Sequence, residues 1–255
     1  AKNSDNGGVH SAYFQTLSTA LDKAGLARPT LIIDKQKLLA NANVLHQHLA
    51  GRYDYRVVAK SLPSLPLLET VMSHTDTQRL MVFHQPFLNL IAKELPNADV
   101  LLGKPMPVAA AARFYQQHTT TQFDARHQLQ WLVDSPARLI QYADLGRQRR
   151  ELMLINLELD VGLHRGGIKD EEQLAVALDI IEREPFLQFS GFMGYDPHVS
   201  KNPGLLGGPE AAFASVQKTY QNFVTIAERQ LQRSLSGLTL NAAGSPTYQR
   251  YTGAQ

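Results

Sequence analysis

Short apolar runs alternate with longer amphipathic segments along most of the chain. Eight runs have the length and the β-branched or apolar content of buried strands: residues 30–34, 55–60, 79–84, 98–103, 129–134, 152–160, 187–194 and 236–241. Seven segments have the spacing of amphipathic helices: residues 35–50, 64–73, 86–95, 107–118, 136–149, 170–184 and 209–233. This alternation predicts right-handed βαβ units and a parallel sheet.

Eight predicted strands favour an α/β fold of the TIM-type (β/α)8 barrel class. The competing class is a doubly wound sheet, in which a glycine-rich turn normally follows the first strand. The segment after Asp34 reads KQKLLANAN and has no glycine, so the barrel is favoured. We expect residues 1–27 to form an N-terminal tail and a lead-in helix, and residues 28–255 to form the barrel domain.

The composition of the chain excludes several kinds of binding partner and site. The chain has 255 residues, with 25 Lys and Arg against 23 Asp and Glu, so its formal charge of +2 gives no general attraction for nucleic acid or membranes. No apolar run reaches the roughly 20 residues that cross a bilayer. The chain has no cysteine, so disulfides, thiolate metal sites and cysteine nucleophiles are excluded.

The polar start AKNSDNGG has no apolar signal region. We expect a cytoplasmic protein, or a periplasmic one if this start is a cleaved signal junction.

The predicted strand 152–160 carries three polar side chains on one face. Asn156, Glu158 and Asp160 alternate with apolar residues at a period of two. Because helices cover the outside of a barrel, these polar groups are expected to face its interior. They either line a site at the barrel mouth or pair with neighbouring charges in a plain core, and the first interpretation is favoured.

Two lysines follow predicted strands, where a barrel places its chemistry. Lys60 ends a β-branched strand, and Lys104 lies in a loop between Gly103 and Pro105. An amine that is partly desolvated at a barrel mouth is a candidate nucleophile for a Schiff base. The alternative for each lysine is a solvated surface charge, and spacing favours Lys60 only modestly.

Three further strand ends carry binding groups. In LNAAGSPTY, Gly244, Ser245 and Thr247 could cradle a phosphate, although Gly-Ser-Pro is also a common turn. In ELDVGLHRGGI, the guanidinium of Arg165 could hold a phenolate or a carboxylate, or it could be an exposed side chain in a turn. In GFMGYDPH, Tyr195 and His198 could contact a planar cofactor, or could be a core cap and a solvated ring.

The co-linear motifs RPTLIID, VVAKS, LELDVGLHRGGI, GFMGYDPH and AAGSPTY resemble the alanine-racemase-type (fold type III) pyridoxal-phosphate enzymes. The resemblance covers about residues 28 to 250. It is closer to the branch of D-threonine aldolases and D-serine dehydratases than to alanine racemase itself. It implies pyridoxal 5'-phosphate as the cofactor.

The resemblance also implies a role for each candidate. Lys60 would form the Schiff base with the cofactor, and Arg165 would lie near the cofactor's phenolic oxygen. His198 is a weaker match, to a substrate or base position. The remaining candidates would bind the cofactor's ring and phosphate: Tyr195, Asn241, Gly244, Ser245 and Thr247.

Two departures from the family pattern concern regions outside the predicted barrel. Family members have a β-rich second domain, which is expected here but absent from a chain that stops at Gln255. The family's first strand, which matches TLIID, usually belongs to that domain, so the barrel would then have only seven strands. In the related branch the second domain binds a divalent metal, Zn or Mn, so the metal ligands of this protein stay unknown.

The sequence therefore predicts a pyridoxal-phosphate-dependent lyase of the D-threonine aldolase or D-serine dehydratase type. Its substrate would be a small D-amino acid, and the resemblance implies a homodimer. One alternative is an amino-acid racemase of the same fold. Another is a non-catalytic pyridoxal-phosphate-binding protein, although the Phe-Gly-Glu-Asn stretch typical of that class is replaced here by LLGKPMPV.

Overall fold

The computed structural model describes residues 9–119, 122–203 and 207–253. The α-helices of these ranges are α1 (Ala12–Lys23), α2 (Lys35–Leu49), α3 (Leu65–His74), α4 (Gln85–Glu94), α5 (Val108–Gln117), α6 (Ala125–Gln128), α7 (Pro136–Arg149), α8 (Glu171–Arg183) and α9 (Gly208–Leu231). The strands are β1 (Arg56–Val58), β2 (Arg79–Val82), β3 (Asp99–Leu102), β4 (Leu129–Val133), β5 (Met153–Leu159), β6 (Leu187–Gly194) and β7 (Thr239–Asn241).

All seven described strands form one parallel sheet in the order β1-β2-β3-β4-β5-β6-β7. The sheet is curled, because side chains of non-neighbouring strands meet on its inner face. Gln130 of β4 donates from Nε2 to Oγ1 of Thr239 on β7 at 2.8 Å. The barrel class predicted from the sequence is therefore confirmed, in the form of a seven-stranded parallel sheet with helices between consecutive strands.

The predicted first strand, residues 30–34, is not a β-strand. Its β-branched residues favour an extended backbone, but a strand also requires a hydrogen-bonded neighbour. The sheet of the described residues thus has seven strands rather than eight, which is the number expected if the TLIID segment belongs with a second domain.

The chain divides into two compact units, one ending at Asn41 and one beginning at Ala42. The division lies inside α2, whereas the domain boundary predicted from the sequence follows residue 27. In the first unit, the carboxylate of Asp34 accepts the backbone N–H of Lys37 at 3.1 Å and the hydroxyl of Tyr13 at 2.8 Å. These two bonds, the Lys37 N–H first, lower the pKa of Asp34 and fix the start of α2.

The second unit has a continuous apolar core, and every residue of β4 is buried. Trp131 of β4 lies among aromatic side chains of the flanking helices and donates its indole N–H to the hydroxyl of Tyr115 at 2.9 Å. The buried hydroxyl of Tyr142 donates to the carbonyl of Met106 at 3.1 Å. Each large polar aromatic in this layer therefore has a hydrogen-bond partner, as burial requires.

Two helices begin at residues whose side chains cap the helix N-terminus. Ser135 precedes α7 and its hydroxyl accepts the N–H of Arg138, while Asp170 precedes α8 and accepts the N–H of Gln173 at 2.8 Å. None of the helices in the described ranges is both long and apolar enough to cross a membrane.

Candidate active site

The predicted site residues lie at the carboxyl ends of the strands, which meet at one edge of a parallel sheet. Lys60 follows β1, Arg165 follows β5, Tyr195 follows β6, and Gly244 follows β7. Parallel pairing brings the loops after neighbouring strands to the same edge. The fold therefore places these groups on the face where barrel enzymes carry their chemistry.

Lys60 lies in a short 3-10 turn, Ala59–Ser61, directly after β1. Ala59 is fully buried, whereas Lys60 is exposed, and its Nζ lies 4.2 Å from the centre of the Phe83 ring. Within the described part of the chain the ammonium has no acidic partner. The sequence predicts a partly desolvated amine at this position; in the structure the side chain is exposed, and its Nζ makes a cation–π contact with the ring of Phe83.

Lys104, the competing lysine, follows β3 and is half-buried. It lies beyond Gly103, whose lack of a side chain lets Phe83 and Met81 pack against the backbone. Burial alone would favour Lys104 over Lys60, so the preference for Lys60 depends on its motif.

Arg165 is held by an ion pair with a buried carboxylate. Its Nη2 donates to Oε1 of Glu158 at 3.1 Å, and the Glu158 side chain is only 4% exposed. The guanidinium carbon lies 5.1 Å from the centre of the Tyr195 ring. The other carboxylate oxygen of Glu158, Oε2, is buried and has no partner in the described structure. Arg165 is therefore fixed between an acid and an aromatic face, and its other N–H groups have no hydrogen-bond partner within the described residues.

Asp160 organises the loop that carries Arg165. Its Oδ1 accepts the N–H groups of Gly162 at 3.1 Å and His164 at 2.9 Å, and its Oδ2 lies 2.9 Å from Nδ1 of His164. Burial raises the pKa of Asp160, but the bonds from His164 and Gly162 outweigh it, so the net pKa is lowered. Further along, Gly167 has φ +100°, and a Cβ there would lie 2.8 Å from the carbonyl oxygen of Glu158.

The interior position of the β5 polar set is confirmed for Asn156 and Glu158. Asn156 is fully buried, and its Nδ2 donates to Oε1 of Gln130 at 3.3 Å and to the carbonyl of Thr239 at 3.2 Å. The hydroxyl of Ser190 donates to the same Gln130 oxygen at 3.1 Å. This network fills the interior beneath the site.

The turn Gly244–Thr247 packs directly against Tyr195. A Cβ on Gly244 would lie 2.7 Å from Cε2 of the tyrosine ring, so only glycine allows this approach. Ser245 is exposed, whereas Thr247 is fully buried. Asn241, the last residue of β7, is half-buried, and its carbonyl accepts the hydroxyl of Tyr220 at 3.3 Å.

His198 lies beside the Arg165 loop. Its Nε2 is 3.1 Å from where a Cβ on Gly162 would stand, and its buried Nδ1 has no partner in the described structure. The structure therefore brings together Arg165, Tyr195, Gly244 and His198 through direct contacts or a shared loop. Lys60 lies against Phe83, and within the described ranges no hydrogen bond, ion pair or ring contact joins it to that group.

Three residues of this region were not singled out by the sequence interpretation. Phe83 and Gln130 read as ordinary strand residues, and no spacing distinguishes them. Asp196 lies between Tyr195 and His198 in the same motif, so its acidic character was a signal that could have been used. Among the described residues, no three His, Asp or Glu side chains are grouped so that they could hold a metal ion.

The sequence matches the family model "Alanine racemase, N-terminal domain" over residues 33–255. Because the match covers most of the chain, the protein belongs to the alanine racemase N-terminal domain family. The resemblance to the alanine-racemase-type pyridoxal-phosphate enzymes, predicted from the strand-end motifs, is thereby confirmed.

Solved structures with a similar fold include a dehydratase and a racemase. D-threo-3-hydroxyaspartate dehydratase from Delftia sp. HT23 matches with a TM-score of 0.68 and 17% identity, covering 88% of this chain and 61% of that one. Alanine racemase from Clostridium difficile 630 matches with a TM-score of 0.63 and 11% identity, covering 85% and 55%.

A variant of the same dehydratase in the metal-free form gives a TM-score of 0.69 at 18% identity, covering 88% of this chain and 61% of that one. The chain thus spans about three fifths of the length of these neighbours. No curated protein sequence matches it significantly.

Proposed function

We propose that this chain is the cofactor-binding α/β domain of a pyridoxal-phosphate-dependent lyase that acts on small D-amino acids. The observation that carries the proposal is the placement of Arg165 between Glu158 and the Tyr195 ring, beside the Gly244 turn. An arginine, an aromatic face and a small-residue turn at one edge of a barrel sheet are complementary to a planar, phosphorylated ring. The family match supports the same cofactor.

The residues present fit pyridoxal 5'-phosphate. The turn has no side chain at Gly244 that would fill the space beside Tyr195, and the exposed hydroxyl of Ser245 is free to donate to a phosphate. Lys60 offers an amine without an acidic partner in the described ranges. Arg165 keeps donors beyond the one used by Glu158, which suits an anionic ring oxygen.

When bound, pyridoxal phosphate accepts the electron pair left at the substrate's Cα. The chain's own residues would hold and orient the reactants. Lys60 would hold the cofactor and, once displaced by the substrate amine, move a proton to or from the substrate. Arg165 would keep the ring oxygen anionic, and Ser245 with the backbone of the turn would hold the phosphate.

His198 is the candidate for a second proton carrier. It lies at the Arg165 loop, and its buried Nδ1 has no hydrogen-bond partner among the described residues. In a lyase of this kind a group near the substrate's β-hydroxyl assists its departure or its deprotonation. A divalent metal, Zn or Mn, would share that task, with ligands from outside the described part of the chain.

The lyase is preferred to a racemase because the motifs lie closer to the aldolase and dehydratase branch. A racemase needs a second base on the opposite face of the substrate, and the alanine racemase neighbours keep this function as the alternative. The homodimer and the cytoplasmic location expected from the sequence stay predictions.

Product analysis tests the proposed reaction. The protein, supplied with pyridoxal phosphate and Mn²⁺ or Zn²⁺, is incubated with D-threonine, D-serine and D-alanine. A lyase releases an aldehyde or a 2-oxo acid from the hydroxylated substrates and leaves D-alanine unchanged. Accumulation of L-alanine would replace the lyase by a racemase, and tight cofactor binding without any product would favour the non-catalytic alternative.

A further inference from the structure

Asp196 is a fully buried carboxylate to which the proposed reaction gives no role. It follows β6, directly after Tyr195, and is 0% exposed. Its Oδ1 accepts the hydroxyl of Thr247 at 2.7 Å, and its Oδ2 accepts the hydroxyl of Tyr251 at 2.9 Å. No cation neutralises it within the described residues. Burying a carboxylate is costly unless it is well hydrogen-bonded. The two hydroxyls supply these bonds, and the presence of a carboxylate at this buried position requires an explanation.

The hydrogen bonds continue from Asp196 into the turn. Oγ1 of Thr247 gives its proton to Asp196 and accepts the backbone N–H of Gly244 at 3.1 Å. The N–H of Thr247 donates back to the carbonyl of Gly244 at 3.0 Å. A hydroxyl has one proton to donate, so Thr247 has none left for a ligand. Thr247 therefore stabilises the turn through its bonds to Gly244 and Asp196. The sequence had predicted that it contacts the phosphate.

Tyr251 anchors the second oxygen of the carboxylate. Its ring packs edge-on against Phe213 at 5.0 Å and against Tyr53 at 6.1 Å between ring centres. Its hydroxyl is therefore held by packing that is independent of the turn. Burial, and then the neighbouring Asp196, raises the pKa of Tyr251, so it stays a donor at neutral pH.

We propose that Asp196 is a positioning residue that fixes the Gly244–Thr247 turn for the phosphate group of the cofactor. It does so through Thr247 and without touching the cofactor. Gly244, held in this way, stays against Tyr195. Because the N–H groups of Gly244 and Thr247 are used within the turn, exposed Ser245 is the residue of the turn that would bind the phosphate. This inference rests on the proposed function, since it assumes that the turn binds the phosphate of pyridoxal phosphate.

The test compares two aldehydes that differ only in the phosphate. Dissociation constants for pyridoxal 5'-phosphate and for pyridoxal are measured by absorbance titration of the wild-type protein and of Asp196→Asn and Thr247→Val. Both variants should bind pyridoxal phosphate roughly tenfold more weakly, as expected for a lost bond to a charged group, and bind pyridoxal as the wild type does. Asp179→Asn, which alters an exposed carboxylate paired with Arg183, should change neither constant.

The outcomes separate this inference from the function on which it rests. If the variants bind both aldehydes more weakly by the same factor, or bind both as the wild type does, Asp196 does not position the phosphate turn. The proposed function still stands in that case, because the wild-type protein binds the cofactor. If the wild-type protein binds neither aldehyde, the proposed function fails and this inference with it. Should Asp196→Asn not fold, Thr247→Val and Tyr251→Phe each remove one of the two bonds and give the same comparison.

Discussion

Glu158 determines where the guanidinium of Arg165 lies. The carboxylate is nearly buried and pairs with an arginine that is one-third exposed, so the pair is shielded more than a surface pair. A neutral amide at position 158 keeps the shape but loses the charge that orients Arg165. This ion pair links the interior of the sheet to the proposed ring-binding group.

Glu158→Gln should weaken binding of pyridoxal phosphate roughly tenfold, because a bond between two charged groups is replaced by a weaker one. The measurement is an absorbance titration with the cofactor. The matched control is Glu182→Gln. Glu182 forms an exposed ion pair with Arg233, with 3.0 Å between Oε1 and Nη2, and its variant should bind the cofactor as the wild type does. Equal affinities for all three proteins would show that Glu158 does not position Arg165 for the cofactor.

Asp160 gives a pH-dependent contribution to stability. Its pKa is lowered in the folded protein, so its stabilisation is fully present above the ordinary Asp value of about 3.9 and is lost as pH falls through the folded pKa. Asp160→Asn should lower the free energy of unfolding by about 1 kcal/mol at pH 7. Denaturant titrations from pH 7 downwards should show this difference shrinking below pH of about 4; a difference that is constant with pH would contradict the assignment.

At the scale of single residues, the sequence predicted which side chains lie at the strand ends better than it predicted their exposure and hydrogen bonds. Lys60, Arg165 and Gly244 lie in loops after strands as expected, because the apolar runs predict the approximate position of each strand. The exposure of Lys60 and the internal bonding of Thr247 were not predictable. The bonding of Thr247 depends on Asp196, which lies 51 residues away in the sequence, and no local pattern marks the exposure of Lys60.

A β-bulge in β6 controls how the last strands pair. Ile155 of β5 lies opposite Phe189, but the next residue, Asn156, lies opposite Gly191, so Ser190 is the extra residue. Gly191 has φ +136°, and a Cβ there would collide with the carbonyl of Thr239 on β7. The bulge thus allows β7 to approach closely, and β7 leads into the Gly244 turn.

Gly191→Ala should destabilise the protein by about 3 kcal/mol, since it adds a backbone clash to a conformation that disfavours side chains. Gly237→Ala is the matched control: Gly237 also has a positive φ, +87°, but open space around it, so only about 1 kcal/mol of strain is expected. Denaturant unfolding of both variants provides the comparison. Equal losses would show that the close approach of β6 and β7 is not a constraint.

At the scale of elements, α7 and β6 have the bounds predicted from the sequence, whereas β1 and β7 were predicted too long. Helix α7 occupies the predicted residues 136–149, because Ser135 and Pro136 mark its start locally. In contrast, β1 has three residues against a predicted 55–60, and β7 has three against 236–241. A strand extends only as far as its neighbour pairs with it, and that neighbour is remote in the sequence.

For the whole molecule, the alternation of apolar runs and amphipathic segments was enough to predict the barrel class, and the order of the motifs was enough to predict the family. Pattern alone suggested eight strands, and the described sheet has seven, because residues 30–34 form no strand. The Gln130–Asn156 network inside the sheet was not predictable, since its partners come from β4, β5 and β7. The order of the motifs thus indicates which chemical groups the site contains. The hydrogen bonds of the folded structure determine which of these groups remain available to a ligand.

The central claim is that Lys60, rather than Lys104, is the amine that holds the cofactor. The direct measurement is reduction of the pyridoxal-phosphate-loaded protein with borohydride, followed by proteolysis and mass spectrometry of the labelled peptide. We expect the pyridoxyl label on Lys60, its loss in Lys60→Ala, and its retention in Lys104→Ala. A label on Lys104, or a Lys60→Ala protein that is still labelled at one equivalent, would contradict it.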